Sequence, residues 1–280
     1  MAAGRTEGRH DQARGLDERQ PVDALKVLVE GQKAAAAAAG AALGDIAAAA
    51  RLAADALLSG GRLVYAGAGS SGLMAMADAL ELPGTYGISR DRIVILLAGG
   101  AASLEDLAGG YEDDRDLAAG DAAAAGIGPK DCVISVSASG STPYALAVSA
   151  YAKEKAARIV AMANNPGAAL FAGADVSILL QTPPEVISGS TRMGAGTAQK
   201  IAFNMFSTLA AVHLGHVHDG YMVNLRADNA KLRERAARIV SAIGGCDAGE
   251  AERLLGLTGG AVKPAVLIAA GAPDRGAAAS

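Results

Sequence analysis

The sequence contains no tryptophan and only three phenylalanines, and aromatic residues make up 3% of its 280 positions. Base-stacking platforms are therefore scarce. With 29 acidic against 25 basic residues there is no basic groove either, so nucleic acid is not an expected partner. Cysteine is almost absent. Cys132 and Cys246 stand far apart and form no CxxC pair, which argues against a disulfide framework or a zinc site and for two ordinary reduced thiols. No window holds the roughly 18 uncharged apolar residues that a membrane span needs. The first twenty residues, MAAGRTEGRHDQARGLDERQ, are too charged for a signal peptide. A cytoplasmic protein with no membrane partner is expected.

What the chain does have is alanine and glycine. The stretch Lys33 to Gly40 (KAAAAAAG) resembles low complexity, but alanine is the strongest helix former, and apolar residues continue at helical spacing from Asp45 to Leu58. An N-terminal helix pair is expected, within a helical segment covering residues 1–60.

From Arg62 a rhythm begins: a short apolar run, a Gly- or Ser-rich turn, an amphipathic helix, then the next run. That is the pattern of a parallel sheet covered by helices. The expected strands are Arg62–Ala66, Arg92–Leu97, Cys132–Ser137, Arg158–Ala163 and Asp175–Leu180, all short, β-branched and apolar on both faces. The expected helices are Ser71–Leu82, stopping before Pro83; Ala102–Ala125, broken near Gly109 and Gly110; Thr142–Ala157, with Pro143 in its first turn; and about Gly196–Leu214. Two further helices are expected over Asp228–Gly244 and Asp247–Leu257, and Ala269–Ser280 is expected to fray. The fold class is thus α/β, a five-stranded parallel sheet sandwiched by helices. The sheet domain is placed at residues 61–220 and a small C-terminal helical region at 221–280.

Three loops carry the chemistry. The first strand ends in Gly67-Ala68-Gly69-Ser70-Ser71-Gly72, where free backbone N–H groups and a helix dipole attract anions. This run matches GxGxxG, but a dinucleotide reading also needs an acid at the end of the next strand, which here ends in Leu97-Ala98-Gly99-Gly100. No nicotinamide cofactor is therefore expected. The third strand ends in Ser137-Ala138-Ser139-Gly140-Ser141-Thr142, four hydroxyls opening a helix, suited to a dianionic phosphate. The bland alternative is that one of them is an N-cap. After the last strand comes Ser188-Gly189-Ser190-Thr191-Arg192, in which Arg192 has the reach for a carboxylate or phosphate, or else Ser190 and Thr191 are caps and Arg192 is solvated. His213, His216 and His218 cluster in HLGHVHDG with Asp219 as the one adjacent acid. This reads as a helix end with surface histidines, and no metal is expected.

The combination of GAGSSG, SASGSTPYA and SGSTRMGAGTAQK resembles the sugar isomerase (SIS) phosphosugar-binding fold and, within it, the N-acetylmuramic acid 6-phosphate etherases. The resemblance begins at Thr6-Glu7-Gly8-Arg9 and runs through Asp78-Ala79-Leu80-Glu81-Leu82-Pro83, Tyr111-Glu112-Asp113 and Gly196-Thr197-Ala198-Gln199-Lys200. It ends in Asn224-Leu225-Arg226-Ala227-Asp228-Asn229-Ala230-Lys231-Leu232. It implies a homodimeric lyase of cell-wall recycling that removes D-lactate from N-acetylmuramic acid 6-phosphate and leaves N-acetylglucosamine 6-phosphate, without a cofactor. It also implies two functional glutamates, Glu81 and Glu112. The substrate-binding set on this reading is Gly69, Ser70, Ser71, Gly72, Ser137, Ser139, Gly140, Ser141, Thr142, Ser190, Thr191, Arg192 and Lys200. Three positions depart from the family pattern: Leu73 and Ser141 stand in place of arginines, and Gly194 in place of a lysine.

A carboxyl pair suits such a reaction, because elimination needs a base at C2 and an acid at the departing ether oxygen. By family analogy Glu81 is the acid and Glu112 the base. Taken locally, each is unremarkable: Glu112 opens an acidic run, Glu112-Asp113-Asp114-Arg115-Asp116, that reads as a solvated face, whereas Glu81 follows Met74, Met76 and Leu80 in an apolar helix where an unpaired carboxylate is costly. Two alternatives stand beside the etherase: a phosphosugar isomerase, and a non-catalytic sugar-phosphate sensor that the three neutral positions favour and the glutamates oppose. If Ser71 and Glu81 share one helix, about 15 Å of rise separates them. The phosphate is then expected on Ser137 to Thr142, or Glu81 is expected from a partner subunit in a shared site.

Overall fold

The computed structural model describes residues 5–106, 109–225, 227 and 230–272. Arg226, Asp228 and Asn229 of the NLRADNAKL segment, and the last eight residues of the expected frayed end, lie outside them. The chain divides into two compact units, Met1–Leu80 with Asp91–Leu209, and Glu81–Arg90 with Ala210–Ser280.

In chain order the elements are α1 (Pro21–Gly40), α2 (Leu43–Leu58), β1 (Leu63–Gly67), α3 (Gly69–Tyr86), β2 (Ile93–Leu97), α4 (Gly110–Asp113), α5 (Arg115–Ala124), β3 (Cys132–Ser137), α6 (Pro143–Glu154), β4 (Arg158–Ala163), β5 (Val176–Leu179) and α7 (Gly194–His213). They are followed by the two-residue strands β6 (Val217–His218) and β7 (Tyr221–Met222), and by α8 (Ala230–Gly244), α9 (Ala248–Leu257) and α10 (Val262–Ala269).

The first unit is built on a five-stranded parallel sheet in the order β2-β1-β3-β4-β5. Because side chains alternate across a strand, β1 sends Val64 and Ala66 to one face and Leu63 and Tyr65 to the other. On the first face, Val64 and Val133 join Ala118 and Ala122 of α5 and Tyr144 and Val148 of α6 in one core. On the other, Tyr65 packs on Phe203 of α7 with ring centroids 5.9 Å apart, and α2 contributes Ile46, Ala49, Ala50 and Ala53, all buried. Alanines on α2 let helix and sheet approach closely, while each fully buried Val, Leu or Ile contributes about 1.5–3 kcal/mol. A buried polar bracket crosses this layer: Tyr65 Oη donates to Asp78 Oδ2 at 3.0 Å and Ser207 Oγ to Asp78 Oδ1 at 2.9 Å, joining β1, α3 and α7. At the amino end of the sheet Arg62 holds Asp131 at 2.7 Å and also donates to the carbonyls of Ala125 and Gly126.

Several expectations need correction. Helix α3 does not stop before Pro83 but continues to Tyr86. Pro83 lies inside the helix and forgoes the bond an N–H there would make to Ala79 O, and the end is made by Gly87, at φ +64°, whose N–H donates to Pro83 O at 3.1 Å. The expected Ala102–Ala125 helix is three pieces: a 3-10 turn at Gly100–Leu104, then α4, then α5, which Asp114 caps by accepting from Leu117 N at 2.8 Å. After α7 the chain forms a short hairpin for which no strand was expected. Asp219 and Gly220 have φ of +46° and +77°, the two positive values a tight hairpin turn requires, and they join β6 to β7.

The second unit has its own core, in which Ile239 and Val240 of α8, Leu254 of α9 and Val262 and Val266 of α10 meet Val223 and Leu225. Helix α10 was not expected from the sequence. Among the described residues no helix is long and apolar enough to cross a membrane.

Candidate active site

The strand order reverses direction between β1 and β3, and in open α/β sheets ligands bind at the carboxyl ends of the strands at such a switch point. Gly67 pairs with Val136 across β1 and β3. The first loop therefore leaves the sheet beside Ser137, where the second begins.

The first loop is shaped by close backbone approach. A side chain on Gly72 would meet Gly67 C at 2.8 Å and Leu97 Cδ1 at 2.5 Å, so only glycine lets α3 start this near the sheet. Gly69 has φ +51°, and a Cβ there would lie 2.6 Å from Glu112 Oε1. Glu112 is thereby placed directly over the loop. What holds it there is its neighbour: the ring of Tyr111 fills the space that Gly99, at φ +80°, leaves after β2. Burial, and secondly the charge of Asp113, raise the Glu112 carboxyl above its ordinary value. Ser70 is half-buried and Ser71 buried, and neither hydroxyl is tied down by a hydrogen bond among the described residues.

The second loop is a connected set of hydroxyls. Ser137 Oγ lies 2.7 Å from Thr142 Oγ1 and 3.2 Å from Ser139 Oγ, Ser141 Oγ donates to Ser139 Oγ at 3.1 Å, and Ser137 and Ser139 accept from the N–H of Gly140 and Ser141. Thr142, the N-cap of α6, makes no side-chain capping bond. The hydroxyls thus organise the loop, and the helix N-terminus behind them stays open to an anion. Gly140, at φ +73°, abuts Ala168, where a Cβ would collide.

The third loop differs. Neither Ser190 nor Thr191 caps α7; the N–H groups of Gly194 and Ala195 both donate to the buried carboxylate of Glu185, at 2.8 Å each. This helix N-terminus already holds an anion. Gly194 fits beneath it, since a Cβ there would lie 2.9 Å from Glu185 Oε2 and 3.1 Å from Ala35 Cβ. Helix α1 supports the same region, with Thr197 Oγ1 donating to Gln32 Oε1 at 2.5 Å. Arg192 is exposed, whereas Lys200 Nζ donates to Asn204 Oδ1 at 2.8 Å one turn along α7.

Sequence reasoning missed Glu185 and the pair Asn164 and Asn165 that follows β4. Asn164 Nδ2 donates to Leu180 O at 3.1 Å and its Oδ1 accepts from Gln199 Nε2 at 2.9 Å, which anchors the fully buried Gln199 of the GTAQK segment. Asn165 reaches both Thr6 and Ser139. An Asn-Asn-Pro-Gly run directly after a buried strand was the available signal.

Glu81, by contrast, is exposed on α3. The apolar surroundings expected for it are not seen: Leu80 beside it is 54% exposed. It shares α3 with Ser71, so about 15 Å of helical rise lies between them. Of the three clustered histidines, His213 ends α7 and His218 is exposed in β6. His216 is half-buried, its pKa lowered first by burial and then by the charge of Lys263. Among the described residues no group of three His, Cys, Asp or Glu is placed to hold a metal ion. A cavity of about 1170 Å³ opens in the second unit, lined by Arg233, Arg238, Ser241 and Glu252 among several alanines and glycines. It contains none of the carboxyl and hydroxyl groups gathered at the sheet edge, and size alone does not make it the reaction site.

Known proteins share the fold and much of the sequence of this chain. The SIS domain family matches residues 32–164 and, in a second overlapping match, residues 116–214. The phosphoheptose isomerase of Francisella tularensis superposes with a TM-score of 0.52 at 21% identity, covering 70% of this chain and 100% of that one. That of Neisseria gonorrhoeae gives 0.50 at 18% identity, covering 67% and 97%. These likenesses establish the fold alone. Closer in sequence, the N-acetylmuramic acid 6-phosphate etherase of Deinococcus radiodurans is 44% identical over 264 residues, 94% of this chain and 87% of the relative. That of Streptomyces avermitilis is 44% identical over 248 residues, 88% and 80%. Similarity of that extent carries a conclusion beyond the fold: the chain belongs to the N-acetylmuramic acid 6-phosphate etherase family.

Proposed function

We propose that this chain is a carbon–oxygen lyase that cleaves the D-lactyl ether of N-acetylmuramic acid 6-phosphate, giving N-acetylglucosamine 6-phosphate and D-lactate in amino-sugar recycling. The observation that carries the reading is the Glu112 carboxyl, raised in pKa and held over Gly69 beside the hydroxyl loop 137–142, at the switch point of the sheet.

With the sugar ring open and C1 an aldehyde, the hydrogen on C2 is acidic. Glu112 removes that proton, the C3–O bond breaks as the C2=C3 bond forms, and Glu81 gives its proton to the departing lactate oxygen. Water then adds across the double bond, its oxygen to C3 and its proton to C2. A raised pKa makes the Glu112 carboxylate a stronger base than an ordinary glutamate. The phosphate sits on Ser137, Ser139, Gly140, Ser141 and Thr142, with Gly69, Ser70, Ser71 and Gly72 lining the sugar and Ser190, Thr191, Arg192 and Lys200 completing the set. Support for the phosphate's place is the uncapped N-terminus of α6.

The enzyme works as a cytoplasmic homodimer, with Glu81 of each site supplied by the second copy. The rise along α3 between Ser71 and Glu81 supports this division, as does the exposure of Glu81. A structure of the assembly with two complete sites, each built within one copy, would overturn it.

The test of the function is direct. Purified protein with N-acetylmuramic acid 6-phosphate releases D-lactate, read with a lactate dehydrogenase, and Glu81→Ala and Glu112→Ala each abolish release. Binding of sugar phosphates with no lactate formed would leave a sensor in place of an enzyme.

A further inference from the structure

Thr6 is 2% exposed although Arg5 and Glu7 on either side are exposed. It is buried because it is gripped. Thr6 N–H donates to Asn165 Oδ1 at 3.3 Å, and Asn165 Nδ2 donates back to Thr6 Oγ1 at 3.0 Å, across 159 positions of sequence. The same Nδ2 also donates to the carbonyl of Ser139 at 3.3 Å, inside the hydroxyl loop. On its other side the segment meets the third loop: Gly189 N–H donates to Thr6 O at 3.2 Å and Ser188 Oγ to Glu7 O at 3.0 Å. Gly8 lies against Pro184, which a Cβ would approach to 3.3 Å. Among the described residues no hydrogen bond runs directly between loops 137–142 and 188–192; residues 6 and 7, through Asn165, make the link.

We infer that residues 5–8 are a strap that sets the spacing of the two hydroxyl loops, with Thr6 and Asn165 as positioning residues for the phosphosugar. The inference rests on the phosphosugar-binding part of the proposed function and extends it to a segment far from the sheet in sequence. Fixing two ligand-binding loops before the ligand arrives lowers the ordering cost of binding. The strap therefore acts on affinity. It touches neither glutamate, and the chemical step is left alone.

The experiment compares the parent with Thr6→Val, Thr6→Ser and Ser188→Ala. Thr6→Val keeps the shape but removes the hydroxyl, Thr6→Ser retains it, and Ser188→Ala cuts the other attachment at an exposed position where folding is not at stake. Calorimetric titration with N-acetylglucosamine 6-phosphate gives Kd, lactate release gives KM and kcat, and thermal unfolding gives Tm. Thr6→Val is expected to weaken Kd about tenfold, the scale of one buried hydrogen bond. KM should rise in step and kcat stay within a factor of about two. Ser188→Ala moves KM in the same direction by less, and Thr6→Ser restores parental values. If Thr6→Val lowers Tm but leaves Kd and KM at parental values, the segment is only structural and the strap is refuted. A parent that binds the phosphosugar but releases no lactate, with Thr6→Val still weakened, keeps the strap and refutes the etherase. A parent that binds no phosphosugar refutes both.

Discussion

The carboxylate of Glu112 stands where a side chain on Gly69 would have to be, with the virtual Cβ 2.6 Å from Oε1. Alanine at position 69 must displace the glutamate from the loop as well as adopt φ +51°. Gly126 separates the two effects. It has φ +61° and nothing within 4 Å of its Cβ position, so Gly126→Ala meets only the left-handed backbone cost of about 1–2 kcal/mol. Both variants are expected to lose stability, but only Gly69→Ala to lose lactate release by a large factor at a temperature where both are folded. Equal activity of the two would separate Glu112 from the reaction.

Folding raises the Glu112 pKa, first through burial and then through Asp113, and this has a sign. The preference for the protonated form favours the folded state fully below the unfolded value of 4.5 and is lost as pH rises through the folded value. Glu112→Gln should therefore raise Tm relative to the parent at pH 8 and leave it nearly level at pH 4, while lowering kcat about 10²- to 10⁴-fold. In the parent, the acid limb of kcat/KM should fall above the ordinary glutamate range. Unfolding scans and pH–rate profiles read these effects, and a lower Tm for the variant at pH 8 would reveal an unrecognised partner of the carboxylate.

A shared site predicts rescue between inactive variants. Glu81→Gln and Glu112→Gln homodimers are each expected to be inactive. Partial denaturation and refolding together yields mixed dimers, in which one of two sites carries both native glutamates, and random assortment restores about a quarter of parental activity. Recovery of nothing, with mixed dimers demonstrated by mass, means that each site is built from one copy.

At the opposite end of the sheet, Asp131 accepts from Arg62 and from Gly128 N–H. Burial pushes its carboxyl up, and these hydrogen bonds outweigh it, leaving the pKa below its usual value. Asp131→Asn leaves a part-exposed guanidinium, still bonded to the Ala125 and Gly126 carbonyls, with a neutral partner, and should cost about 1–3 kcal/mol at pH 7 with activity per folded molecule unchanged. The stabilisation by Asp131 is present above 3.8, the unfolded value, and lost as pH falls through the folded one. The penalty should shrink accordingly in urea titrations at pH 3.

The strands were the legible part of the chain. Cys132–Ser137 and Arg158–Ala163 are observed with the bounds their sequence implies, because a strand buried on both faces is a run of small β-branched and apolar residues closed by a polar turn. The loops at their carboxyl ends were legible for the same reason. Helix α3 passed Pro83 because the bond lost at the proline is offset by packing in the turn before it, where Ala79 and Leu82 are buried. The Asp219-Gly220 turn did carry a local signal, the paired residues that tolerate positive φ, but the strands it joins are two residues long and show no alternation. Glu185, Asn165 and Thr6 were invisible for another reason. Each acts through hydrogen bonds to a distant part of the chain, and a buried glutamate that receives two backbone N–H groups is spelled no differently from one facing water.

Three helices begin at the carboxyl edge of the sheet, yet they do not offer three equal seats for a ligand's negative charge. At α7 the seat is taken by Glu185, a resident counter-anion built into the chain. A phosphate approaching this edge finds the positive end of α6 vacant and that of α7 already filled, so the chain carries its own built-in competitor for one of its helix termini.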